Sequence, residues 1–220
     1  MTMTLSKGLA ELGLDLSEQQ QAQLLSYLAL IERWNKVYNL TALRQQEAML
    51  THHLLDCLAI LPPLRLQVAR MAGTPQILDV GSGAGLPGLV LAICQPDWRI
   101  DCVDTVAKKA AFMQQTAATL GLQNTKIHHA RVEELAQKQN ARYSIICSRA
   151  FSSLADFVHL TESSLQEQGV WLAMKGRAPE AQELEALKDW ALAERVEPIA
   201  VPGLDAQRCL VWLKPAPKTA

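Results

Sequence analysis

At 220 residues, 49% of them hydrophobic and 20% charged, the chain is long enough for one domain with an appendage and too apolar to be disordered. A formal net charge of −1 excludes a protein that grips naked nucleic acid by total charge and leaves only a local basic patch for such a partner. No apolar run of about 18 residues is free of charge, so no membrane span is expected. The first residues carry no secretory pattern, and a cytoplasmic protein is expected. Cys57, Cys94, Cys102, Cys147 and Cys209 are scattered and form no Cys-x-x-Cys pair, which predicts reduced, structural thiols.

Residues 1–70 read as a helical segment packed on the core. Leu24, Leu28, Ile31 and Trp34 recur at three- and four-residue spacing, with Leu25 and Val37 beside them. Ser17 is placed to cap this helix, and Asn39-Leu40-Thr41 breaks it. A second helix is predicted from about Gln45 to Ile60, stopped by Pro62-Pro63. From Gln76 the pattern changes. Short apolar runs (Ile77–Val80, Ile100–Val103, Lys126–His128, Tyr143–Cys147, Gly169–Met174) alternate with helical stretches at Leu86–Cys94, Val106–Leu120, Val132–Lys138 and Leu154–Leu165. A helix at Pro179–Leu192 and strands near Arg195–Val201 and Arg208–Leu213 complete the series. Residues 71–220 are therefore expected to form an α/β domain, doubly wound around a mostly parallel seven-stranded sheet and Rossmann-like.

The stretch from Ile77 to Gly88, ILDVGSGAGLPG, carries the most chemistry. Gly81, Gly83 and Gly85 at the end of a first strand allow a tight turn and a close backbone approach to a ligand at a following helix N-terminus. Gly83, Gly85 and Gly88 also satisfy G-x-G-x-x-G, so NAD competes as ligand. Asp79 tips the balance, because a carboxylate just before the turn disfavours a pyrophosphate and suits the α-ammonium of S-adenosylmethionine. Asp104, at the exit of the second strand, is placed to accept both ribose hydroxyls; Asp101 is the competing choice. Val132 is expected over the adenine ring and Glu133 at its polar edge, although Glu133 and Glu134 also suit the first turn of a helix.

After the fourth strand the chain reads Ser148-Arg149-Ala150-Phe151, with no carboxylate, His or Cys to act as a base. The acceptor should then be an atom with a free lone pair, such as guanine N7, and catalysis should work by positioning, with Arg149 as its candidate residue. Arg149 suits the methionine carboxylate, a base edge or a phosphate.

With these residues quoted, a family resemblance emerges. Trp34-Asn35-Lys36-Val37-Tyr38-Asn39-Leu40-Thr41, His53-Leu54-Leu55-Asp56, Asp79 to Gly88, Ser148 to Phe151 and Met174-Lys175-Gly176 closely resemble, in order, the motifs of bacterial RsmG (GidB) methyltransferases. The resemblance implies a class I S-adenosylmethionine-dependent methyltransferase that modifies N7 of one guanine in 16S ribosomal RNA, within the 30S subunit or its precursor. It also implies cofactor contacts at Gly81, Leu86, Val132, Glu133 and Arg149. The second-strand exit is less typical of the family, and Lys108 and Lys109 stand where an arginine is more usual. Arg44, Lys108, Lys109, Lys175 and Arg177 are the candidates to face RNA. His53 and Asp56 share a helical face while His52 points elsewhere, so no metal is expected. A monomer is the expected state. An NAD-dependent oxidoreductase and a non-catalytic binding module are the competing readings.

Overall fold

The computed structural model describes residues 3–139, 142–151 and 153–217. Helix α1 (Leu5–Glu11) precedes the long α2 (Glu18–Tyr38), which opens on a reciprocal cap between Ser17 and Gln20. Helix α2 ends where Asn39 turns left-handed, with φ of 49°. Its buried stripe is Leu24, Tyr27, Leu28, Ile31 and Asn35; Leu25 and Val37 face outward. A continuous helical stretch then runs through α3 (Gln46–Met49), a π-helical turn (Leu50–Leu55) and α4 (Asp56–Leu58). Pro62 and Pro63 do not end the helical region. They open α5 (Leu61–Val68), in whose first turn a missing N–H costs no helical bond.

The sheet contains β1 (Gln76–Val80), β2 (Arg99–Asp104), β3 (Thr125–His129), β4 (Tyr143–Ser148), β5 (Leu165–Lys175), β6 (Ala191–Pro198) and β7 (Cys209–Pro215). Among the described residues it has seven strands in the order β3-β2-β1-β4-β5-β7-β6, parallel from β3 to β5, with β7 antiparallel to both β5 and β6. Between the strands lie α6 (Gly88–Cys94), α7 (Ala107–Leu120), α8 (Val132–Gln139), α9 (Leu154–Thr161) and α10 (Ala181–Glu185). The fold is the doubly wound, Rossmann-like one expected. The helix foreseen over Pro179–Leu192 shrinks to Ala181–Glu185, and β6 starts earlier, at Ala191. Residues 191–194 are good helix formers, but Ala191, Leu192 and Ala193 pair with β7 at Pro215, Lys214 and Leu213. Sheet pairing overrides local propensity there.

Successive strand residues supply two cores, one on each face. Ile77, Ile100, Cys102, Ile145, Cys147, Leu172 and Trp212 pack with the N-terminal helices and α6. Leu78, Val80, Val103, Ile146, Trp171 and Val211 pack with α8 and α9. Burial on both sides explains why these strands read as continuous apolar runs. Strand order reverses between β1 and β4, which opens a crevice at their carboxyl ends.

A crevice at the carboxyl ends of the strands

The glycine turn after β1 is held from both sides. Gly81 and Ser82 donate their N–H groups to Val103 O at 2.9 and 3.2 Å, and Tyr27 of α2 donates its hydroxyl to Ala84 O at 2.6 Å. Gly81, Gly83 and Gly85 have φ of 67°, 61° and 87°, a region that side chains other than glycine's rarely adopt. A Cβ at Gly81 would lie 2.9 Å from that of Ala150, whereas one at Gly83 would meet only Gly81 O, at 3.9 Å. Bare backbone at Gly83 thus faces open space, the cradle a nucleoside cofactor needs.

Three adjoining cavities line the crevice. The first, about 400 Å³, is walled by Gly81, Asp104, Ala130, Val132, Glu133 and Phe151 among others. Gly81 passes into the second, about 170 Å³, bounded by Leu40, Thr41, Gly83, Leu86 and Arg149. His53 and Arg149 are shared with the third, about 300 Å³, which also meets His52, Asp56, Met174, Lys175 and Arg208. A larger cavity of about 980 Å³ lies near Arg142, Trp171 and Trp190, at the other end of the parallel strands and away from the glycine turn.

Asp104, at the end of β2, stands at the first cavity. Its Oδ2 accepts from Gly83 N–H and its Oδ1 from Val106 N–H, both at 2.9 Å, and Lys109 Nζ lies 3.9 Å away. Each carboxylate oxygen keeps a second lone pair for a ligand. The competing Asp101 is occupied by His128 at 2.7 Å and Tyr143 at 2.8 Å on the sheet face. Val132 is buried in the wall, and Glu133 beside it pairs with Arg131 at 3.3 Å.

Asp79 is placed differently from the sequence expectation. It is wholly buried beneath the turn and borders none of the three cavities. Its Oδ2 accepts from Gly88 N–H at 2.9 Å, at the start of α6, while Oδ1 has no hydrogen-bond partner among the described residues. Burial pushes the carboxyl up from 3.8 to about 7, against the opposing pull of the Gly88 N–H. A Cβ at Gly88 would strike Cys102 Sγ, so this glycine serves close packing of helix on strand.

The third cavity holds what sequence reading missed. Asp56 is 3% exposed and accepts from two arginines: Arg149 Nη1 on Oδ2 at 2.9 Å and Arg208 Nε on Oδ1 at 2.8 Å. Arg149 Nη1 also donates to His52 O at 3.0 Å, in the π-helical turn. His53 shares a hydrogen bond of 2.8 Å between Nε2 and Thr41 Oγ1, and burial with the nearby Arg149 charge lowers its pKa to about 4. It is therefore neutral near pH 7. Both His52 and His53 border the cavity, contrary to the expectation that His52 turns away. Among the described residues no three His, Cys, Asp or Glu form a metal-binding group. The basic candidates are dispersed. Lys175 borders the third cavity and pairs with Glu183 at 3.2 Å; Lys108 is exposed near the start of α7. Arg44 donates to Asn39 Oδ1 at 3.3 Å, and Arg177 pairs with Glu180 at 2.6 Å on the surface.

No helix among the described residues is long and apolar enough to cross a membrane. In shape, the chain is similar to a mutant of MtNAS in complex with S-adenosylmethionine (TM-score 0.60, 10% identity, covering 91% of this chain and 73% of that one). It is also similar to TrmN from Thermus thermophilus (TM-score 0.56, 16% identity, 76% and 53% covered). At such identities these likenesses show the Rossmann-like fold alone. In sequence it is 53% identical to the ribosomal RNA small subunit methyltransferase G of Albidiferax ferrireducens, over 97% of both chains. It is 54% identical to the protein of that name from Acidovorax sp. strain JS42, over 96% of this chain and 94% of that one. Residues 20–211 match the family model GidB, rRNA small subunit methyltransferase G, and the chain belongs to that family.

Proposed function

We propose that this chain transfers a methyl group from S-adenosylmethionine to N7 of a single guanine in 16S ribosomal RNA, within the 30S subunit or its precursor. Family membership supports the coarser part, methylation of small-subunit rRNA with this donor. The finer part rests on one observation: among the described residues at the junction of the second and third cavities, no free carboxylate stands beside the acceptor's place, and the imidazole that both cavities share, His53, is a weak base, lowered to about 4 chiefly by burial. Ser148 Oγ donates to Val80 O at 2.7 Å and accepts from Ala150 N–H at 3.0 Å. Asp56 is charge-paired twice, and His53 Nε2 is engaged by Thr41. An acceptor that already carries a lone pair needs no base, and guanine N7 is such an atom.

Bound on the turn, S-adenosylmethionine would supply a methyl group made electrophilic by its sulfonium. The backbone from Gly81 to Gly85 would hold it, with Leu86 beside the methionine part. Asp104 would accept the ribose hydroxyls, Val132 would cover the adenine and Glu133 would meet its edge. Arg149, common to the second and third cavities, would align donor and acceptor. Asp79 would act from beneath by fixing the start of α6. Lys175, which borders the third cavity, and Lys108 and Lys109 of α7 would face the RNA, and ribosomal context would offset the net charge of −1.

The test is chemical. Ribosomal RNA from cells with and without the gene is reduced and treated with aniline, which cleaves at N7-methylguanine. One cleavage should vanish in the deletion strain and return with the wild-type gene. Identical patterns would overturn the proposal.

A further inference from the structure

We propose that Asp56 is a positioning residue of the third cavity, whose carboxylate holds Arg149 and Arg208 as one fork for a phosphate of the acceptor RNA strand. This rests on the rRNA-methylation reading. The three residues meet from distant parts of the chain: Asp56 and Arg149 are 93 residues apart, Asp56 and Arg208 152 apart. Each arginine uses a different oxygen of one buried carboxylate, so neither can turn without losing a charge-assisted bond.

The clamp leaves donors over. Arg149 binds protein through Nη1, and Arg208 through Nε and through Nη1, which donates to Gln207 O at 2.8 Å. Among the described residues the Nη2 group of each has no hydrogen-bond partner, and both arginines border the same cavity. Two guanidiniums against one carboxylate leave one positive charge in excess. A guanine acceptor is neutral, so the anion that its strand brings is a phosphodiester. Planar guanidinium forks suit that group, provided their spacing is fixed. Unclamped, two neighbouring guanidiniums repel each other.

Charge alone and positioning predict opposite signs, which makes the inference testable. Replacing Asp56 by Asn adds a net positive charge to a cavity facing RNA, so attraction alone would strengthen substrate use. Positioning requires that it weaken. Methyl transfer to 30S particles from a deletion strain is measured for wild type, Asp56→Asn, Arg208→Met and the double variant. Affinity for S-adenosylhomocysteine by calorimetry and melting temperature are followed alongside. Arg208→Met should raise KM for the particle ~10-fold, with kcat and S-adenosylhomocysteine affinity within about twofold, and lower the salt slope of particle binding by about one. Asp56→Asn should lower kcat/KM ~10- to 100-fold despite the added charge, and the double variant should be no worse, because the residues act as a unit. A folded Asp56→Asn protein with unchanged or higher kcat/KM would overturn the inference, as would additive losses. Should Asp56→Asn not fold, Arg208→Met decides: wild-type KM and salt slope would overturn it. Absence of methyl transfer by the wild type would remove the rRNA reading itself; active wild type with unmoved variants would remove only the positioning role.

Discussion

The two ends of the crevice are built from different materials. At the glycine-turn end the fixed groups are backbone: Val103 O receives two N–H groups, and Asp104 receives N–H from Gly83 and Val106. At the third cavity they are charged side chains, Asp56 with Arg149 and Arg208. A buried carboxylate lies under each end, yet the two live differently. Asp79 has one backbone donor and is pushed toward neutrality, while Asp56 accepts from two guanidiniums, Arg149 and Arg208. Backbone donors suit a small molecule of constant shape, because they are rigid and little affected by salt. Paired point charges suit a polyanion, at the cost of salt sensitivity.

The sharpest way to break this contrast is at the residue both ends share. Arg149→Met should reduce methyl transfer by at least ~100-fold, the scale expected when a transition-state contact is lost. It should also lower stability by ~3 kcal/mol, because the buried Asp56 keeps only one of its two half-buried partners. Near-wild-type turnover at saturating substrate would show that alignment does not pass through this side chain. A smaller, one-sided effect is expected from Asp104→Asn. The amide offers one acceptor oxygen where the carboxylate serves two N–H groups, so affinity for S-adenosylhomocysteine should fall ~10-fold by calorimetry, as for loss of a charge-assisted bond. If KM for the particle shifted instead, the division between the ends would be wrong.

The smallest effect concerns Asp79 and pH. Its folded-state pKa is raised from 3.8 to about 7, so the folded protein holds this proton more tightly than the unfolded chain. The contribution to stability is fully present below the unfolded value and is lost as pH rises through about 7. Urea titrations from pH 4 to 8 should show wild type losing stability relative to Asp79→Asn as pH rises. Parallel curves for the two proteins would mean that Asp79 is not perturbed as its burial implies.

Much of the first end is legible in the chain itself, because its signals are local. The turn follows β1 directly, Asp104 ends the next strand, and alternation places Val132 after β3. Strand alternation also explains the misplacement of Asp79. It shares a face with Ile77, which packs under the N-terminal helices, and a five-residue strand does not reveal which face will be covered. The third cavity has no comparable local signal. His53-Leu54-Leu55-Asp56 stood out as a motif, but nothing near Arg208 marks it, and only the closing of β7 against β5 brings it to Asp56. The phase of the π-helical turn, which brings both His52 and His53 to the cavity, is likewise invisible to a count of 3.6 residues per turn.

The segment before the sheet also bears on how this protein can be divided. Leu40, Thr41 and His53 wall the second cavity, Asp56 sits in the third, and Tyr27 holds the glycine turn at Ala84. The helices are thus no interchangeable module grafted onto a self-sufficient enzyme. In evolutionary terms, the N-terminal segment and the sheet are expected to change together, since a chimera joining this sheet to foreign helices would inherit only part of the crevice's walls.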